Sequence, residues 1–175
     1  MKNLLYKFTD TSEGGKKLPW ITRKVMAFIN GYDHQKYWYR RSVVVNPNDG
    51  VNPLLKMYYL LWIKRIDSKH HCSFGTSYNS GAQFVTPPFL PHGPNGIIVG
   101  CDAKIGAKVT LYHQVTIPAG GVEVGDKSTL FPGAKVIEGV KIGSNCRIGA
   151  NVVVCEDIPD FATVVPQKAK ILFRN

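Results

Sequence analysis

The residue types in this chain best suited to proton transfer or metal ligation are its five histidines and four cysteines. His92 and Asn95 stand in Leu90-Pro91-His92-Gly93-Pro94-Asn95-Gly96, a polar run rich in Gly and Pro, and His113 follows between Tyr112 and Gln114. A neutral imidazole can accept a proton from a hydroxyl that is too weakly acidic to ionise near pH 7, so a histidine on such a loop invites general base chemistry. Lys69-His70-His71-Cys72 has the composition of a metal site. Adjacent residues on an extended segment point to opposite sides, however, and no second cluster has zinc-like spacing, so no metal is expected. Cys72, Cys101, Cys146 and Cys155 are scattered without a CxxC pair and read as reduced thiols.

These residues need a rigid frame, and a period of six supplies one. Aliphatic residues recur at Val99, Ile105, Leu111 and Ile117, then after one seven-residue step at Val124, Leu130, Val136, Ile142, Ile148 and Val154. A second set lies two residues earlier in each hexad: Ile97, Ala103, Val109, Val115, Val122, Ser128, Ala134, Val140, Cys146 and Val152. Gly100, Gly106, Gly125, Gly143 and Gly149 follow the aliphatic positions. An amphipathic helix would repeat every 3.6 residues and a hairpin sheet would show turn pairs every eight to twelve. Short strands with alternate side chains inward and small residues at corners fit instead, as in a solenoid of stacked parallel strands. Before Gly96 the register is looser, with Phe74, Phe84 and Leu90 as inward candidates.

Residues 1–72 lack the repeat and are expected to form a helical capping and interaction region, ahead of a β-helix domain over 73–175. Helices are predicted over roughly Pro19 to Asn30, around His34 to Val45, and from Pro53 to Ile66, with Asn46-Pro47-Asn48-Asp49-Gly50 as a loop. A cap of this kind covers the apolar interior and free backbone groups at the solenoid's open end. The net charge of +10 is concentrated there: residues 1–96 hold 13 Lys and Arg against 5 Asp and Glu, and residues 97–175 hold 9 against 7. Nucleic acid, an anionic membrane surface or a phosphate-bearing substrate would all suit that field. Met57 to Ile63 is far short of the ~20 apolar residues that cross a bilayer, and Lys7, Asp10 and Glu13 interrupt any leader-like apolar run. A cytoplasmic location is expected. The aromatic and basic runs at Tyr37 to Arg41 and Met57 to Trp62 suit core or subunit contacts, with the inner membrane surface as a peripheral alternative.

The hexads, the LPHGxNGII run, Lys104-Ile105-Gly106, Val115-Thr116-Ile117, Asp157-Ile158-Pro159-Asp160 and Ala169-Lys170-Ile171 together resemble the hexapeptide-repeat acyltransferases, in the serine acetyltransferase-like branch and especially its relatives in polysaccharide gene clusters. The resemblance implies a mainly β fold, a left-handed parallel β-helix of hexapeptide repeats with a small α-helical N-terminal region, assembled as a homotrimer. It implies an acetyl-CoA-dependent O-acetyltransferase in which His92 is the general base, worth about 10²–10⁴ in rate. His113, eighteen residues beyond Asn95 and so one coil above the loop, is a second catalytic candidate that would orient the acceptor, help the base or contact the acetyl oxygen. Asn95, Tyr112 and Gln114 are candidate substrate-binding residues, and Lys168 and Lys170 candidate contacts for the phosphates of CoA.

Departures from serine acetyltransferase bear on the acceptor. Pro91 replaces the aspartate that precedes the catalytic histidine there, and Ile117-Pro118-Ala119-Gly120-Gly121-Val122 leaves no room for the long loop that carries its second histidine. No counterpart of the large helical domain is expected from these residues, and Pro166-Gln167-Lys168-Ala169 replaces the usual Gly-x-Pro-Ala. A hydroxyl on a sugar or polysaccharide precursor is therefore the expected acceptor, with serine the nearest alternative, and no nucleic-acid partner is expected. Readings from other classes are a metal-dependent β-helix hydratase of the carbonic anhydrase kind, which needs three histidines at a subunit interface, and a non-catalytic trimeric scaffold. The partner that orients His92 is open between a carboxylate and a backbone carbonyl.

Overall fold

Two short helices lead into a triangular coil of parallel strands in the computed structural model, which describes residues 31–167 and residue 171. The predicted helix at Pro19 to Asn30 and the lysines Lys168 and Lys170 lie outside the described residues. From His34 onward the helices and coil form one compact unit.

The helices start and stop where local chemistry dictates. Helix α1 spans His34–Val45, and helix α2 spans Pro53–His70. Asn52 caps α2 by accepting from the Leu54 N–H at 2.8 Å, and Pro53 occupies a first-turn position where its missing N–H costs nothing. The helix continues one turn past the predicted end at Ile66, to His71 in the left-handed conformation at φ 49°, and the Cys72 N–H closes back on the Asp67 carbonyl at 2.9 Å. Lys69-His70-His71-Cys72 is thus a helix terminus and its cap, not the extended segment expected from sequence.

Every position of both hexad sets, from Ile97 to Val154, is buried. The strands are two residues long; among the described residues thirteen stack into three parallel sheets of five, four and four strands, and Thr76–Ser77 pairs antiparallel with Ser80–Gly81. The five-stranded sheet is β1(Ser73–Phe74), β5(Ile98–Val99), β8(Thr116–Ile117), β11(Lys135–Val136) and β14(Val153–Val154). Ile98 pairs with Thr116, eighteen residues on, whereas Thr116 pairs with Lys135, nineteen on. The extra residue is the seven-residue step, and the chain absorbs it at Gly120 and Gly121, with φ of 107° and 77° that glycine adopts freely. Together these features make a parallel β-helix, mainly β with a small α region, which agrees with the left-handed coil that the family resemblance implies. Each inward Val, Leu or Ile contributes about 1.5–3 kcal/mol by leaving water. Ser128, the polar member of the inner set, is compatible with burial because its hydroxyl donates to Gly143 O at 2.7 Å and accepts from Cys146 N at 2.9 Å.

Coil stacking also explains the corner glycines. A methyl on Gly100 would collide with the backbone of Pro118 and Ala119 in the next coil. Phe74 pairs with Val99 and Phe84, in β4(Gln83–Phe84), with Ile105, so both take inward register. Phe89 bridges Thr110, which puts Leu90 level with the inward Leu111.

Helix α1 plugs the first coil. Trp38 packs edge-on to Phe74 and Phe84, with ring centroids 5.2 and 4.8 Å apart. Arg41 is buried beside them and donates to Phe74 O at 2.9 Å, Ala82 O at 2.7 Å and Thr76 Oγ1 at 3.1 Å. Those acceptors sit at the coil's end, where no further strand could satisfy them. Burial lowers the guanidinium pKa to about 10 and lifts that of Asp67, which accepts from Tyr37 Oη at 2.6 Å. It also pushes the Cys72 thiol up to about 12, which suits an inert, structural thiol.

Candidate active site

The loop at 90–96 lies at the corner where the irregular first turns give way to the regular coil. It is closed on itself by the Gly93 N–H to Leu90 O and the Ile97 N–H to Pro94 O, both at 3.1 Å, and tied to the next coil by the Gln114 N–H to Asn95 O at 3.0 Å. Gly93 and Gly96 take φ of 70° and 68°, and beside Gly96 a side chain would press on Gln114. A polar side chain on this loop is held by backbone bonds on both flanks yet faces solvent, as His92 does.

His113 lies one coil further on. It precedes Gln114, which adopts φ 60° at the corner, and its carbonyl accepts from the Gly133 N–H at 3.1 Å. Its ring meets that of His92 with centroids 4.9 Å apart and an interplanar angle of 32°, and the two Nδ1 atoms are 2.7 Å apart. A contact this short between two ring nitrogens requires a proton on one and a lone pair on the other. The neighbour of His92 Nδ1 is therefore an imidazole, where the sequence left a carboxylate or a carbonyl open. If Nδ1 of His92 carries the shared proton, its Nε2 has a free lone pair, which is the state a base needs.

Tyr112 stands edge-on to His92, with centroids 5.2 Å apart at 86°, and stacks on Phe131 at 5.3 Å and 17°. The Arg147 guanidinium lies 5.4 Å over Phe131. Phe131 was missed at the sequence level although the signal is present: it follows the inward Leu130 just as Tyr112 follows the inward Leu111. Asn95 donates from Nδ2 to His92 O at 3.0 Å and receives His70 Nδ1 at 2.9 Å from Oδ1. Gln114 is exposed beside this group. The structure thus brings together His92, His113, Asn95, Tyr112 and Gln114, and adds His70 and Phe131. Among the described residues no group of three or more His, Cys, Asp or Glu is gathered as metal ligands, and no helix is long and apolar enough to cross a membrane.

The tight corner at 118–121 closes on Asp102, whose carboxylate accepts from the Gly120 N–H at 2.9 Å and the Gly121 N–H at 3.0 Å. The Gly120 N–H, foremost, holds that carboxyl below the usual aspartate range; desolvation opposes it, and the Gly121 N–H adds to the lowering.

Residues 121–156 match the bacterial transferase hexapeptide (six repeats) family. Over 105 residues the chain is 35% identical to a serine acetyltransferase of Mycobacterium tuberculosis, a match that covers 56% of this chain and 45% of that protein. Over 108 residues it is 34% identical to the serine acetyltransferase of Helicobacter pylori, covering 58% and 63%. Among solved structures, a serine acetyltransferase of Neisseria gonorrhoeae in complex with serine superposes with a TM-score of 0.57 at 26% identity, covering 78% of this chain and 54% of that one. The chain spans about half the length of the curated relatives it matches. The family match thus lies within the repeat region, and serine acetyltransferases are among the proteins the chain is similar to.

Proposed function

We propose that the chain is an acetyl-CoA-dependent O-acetyltransferase with His92 as general base. The observation that carries this is the exposed imidazole on a rigid corner of a hexapeptide coil, with Nδ1 engaged by His113 at 2.7 Å. His92 Nε2 removes the proton of an acceptor hydroxyl as its oxygen attacks the acetyl carbonyl carbon. The tetrahedral adduct collapses, the C–S bond breaks, and the imidazolium returns the proton to the leaving thiolate, giving the acetyl ester and free CoA thiol. His113 keeps the His92 lone pair on Nε2 and stabilises the imidazolium that forms, the part a carboxylate plays in other histidine-based sites. Tyr112, Asn95 and Gln114 line the acceptor side. The donor is expected in a groove between subunits of a trimer, with Lys168 and Lys170 toward its phosphates.

Serine is the first acceptor to test, because the relatives reported above are serine acetyltransferases. The glycan preference drawn from the sequence finds no relative of that kind among them. It stands as a second reading on one feature: the corner at 118–121 is short and closed by Asp102, so it has no room for the long loop that the sequence comparison with serine acetyltransferase would place there. Thiol release from acetyl-CoA should be measured with L-serine and with a panel of sugars. Turnover with either class, abolished in His92→Ala with the fold intact, is the expected result. Turnover of serine alone would sink the glycan reading, and unchanged release by His92→Ala would refute His92 as base.

A further inference from the structure

Helix α2 ends against the loop that carries His92. Its last residue, His70, touches that loop twice: the His70 carbonyl accepts from the Gly96 N–H at 3.0 Å, and His70 Nδ1 lies 2.9 Å from Asn95 Oδ1. Asn95 Nδ2 in turn donates to the carbonyl of His92 at 3.0 Å. A carbonyl oxygen only accepts, so the Asn95 amide must turn its NH2 toward His92 and its oxygen toward His70. His70 Nδ1 therefore carries a proton. A line of hydrogen bonds runs from the helix end through Asn95 to the His92 backbone, and from the His92 ring to His113.

We propose that His70 is a positioning residue for the base: its Nδ1–H fixes the Asn95 amide, and through it the backbone of His92 and the set of the His92 ring against His113. The kinetic consequence rests on the acetyl-transfer reading; the bond line does not. Asn95 is exposed, so without the imidazole donor water can take its oxygen and free the amide to turn. The loop itself would persist, because the Gly96, Ile97 and Gln114 N–H bonds to His70 O, Pro94 O and Asn95 O are backbone to backbone. The expected damage is to alignment, not to folding or donor binding.

The discriminating set is His70→Leu, His70→Gln and His70→Asn in the full chain. Asparagine presents its NH2 where imidazole Nδ1 stands, whereas glutamine presents it one bond further out, nearer the place of Nε2. Each variant is assayed for kcat and for KM toward acetyl-CoA, and its His92 ring nitrogens are read by long-range proton–nitrogen NMR. His70→Leu and His70→Gln should lower kcat by roughly ten- to a hundredfold, the scale of a small misplacement of a reacting group, with KM within about twofold. Their His92 signal should change from one tautomer to a mixture. His70→Asn should stay within about threefold of the parent in kcat and keep the single tautomer. A His92 ring spectrum unchanged in His70→Leu overturns the positioning role whether or not the protein turns over acetyl-CoA, and so does an asparagine variant no better than leucine. If the parent is inactive but the ring responds as expected, acetyl transfer fails and the positioning role stands.

Discussion

Replacing His113 by leucine keeps a side chain of similar bulk and removes the partner 2.7 Å from His92 Nδ1, which in the tautomer that leaves Nε2 free to act as base is the acceptor of the Nδ1 proton. Before proton transfer both rings are neutral, and a neutral hydrogen bond is worth about 1 kcal/mol net. When His92 Nε2 takes the acceptor proton, the same bond joins an imidazolium and rises to about 1.5–3 kcal/mol. Only the gain of about 0.5–2 kcal/mol belongs to the transition state, which is roughly two- to thirtyfold in kcat/KM. Losing the neutral bond also frees the His92 ring to change tautomer and rotamer, for up to about fivefold more. We therefore expect His113→Leu to lose between about two- and 150-fold in acetyl-CoA thiol release under single-turnover conditions. His113→Asn, whose Oδ1 falls near the position of imidazole Nδ1, should recover most of that loss. A leucine variant within about twofold of the parent, with unchanged thermal unfolding, would refute the account of the pair. An asparagine variant as impaired as the leucine variant would also count against it.

Two further outcomes follow from the frame. Arg41→Met leaves Phe74 O, Ala82 O and Thr76 Oγ1 without their buried donor, while removing the desolvation that lowers the Arg41 pKa to about 10. The net loss in urea unfolding should be roughly 2–4 kcal/mol, and no loss would mean that water reaches those acceptors. Asp102→Ala should melt below the parent at neutral pH. The folded pKa of Asp102 is lowered relative to the unfolded chain, so its contribution is intact above the ordinary aspartate value of about 3.9 and is lost as pH falls through the folded value. The two melting temperatures should converge on acidification below that range. A difference that stays constant would show that the Gly120–Gly121 corner does not depend on the carboxylate.

The coil was legible residue by residue because its physics is one-dimensional. A strand of two residues that pairs only with the coil above and below must place a side chain suited to burial inward every six residues, and Ile97 through Val154 do so, Ser128 being the one polar member. The one irregular step, at Gly120 and Gly121, could be read from spacing alone, as could the helix starts at His34 and Pro53. Stacking arithmetic also put His113 a coil above the 90–96 loop, since eighteen residues make one turn. The end of α2 was read short because the last turn, Asp67 to His70, is set by a left-handed cap at His71 and by a buried Tyr37–Asp67 bond thirty residues apart.

Residue spacing thus carried the repeat, the register and the inward residues, and it pointed to the 90–96 loop as the place for a proposed base. Only the tertiary structure decided what that base leans on. Whether His92 meets a carboxylate, a carbonyl or another imidazole depends on ring orientations set by Tyr112, Asn95 and the end of a helix that enters from outside the repeat. No periodicity encodes such a contact. It arises where two segments with different periods, a helix at 3.6 and a coil at six, are brought together by the cap that Arg41, Trp38 and Phe74 form between them.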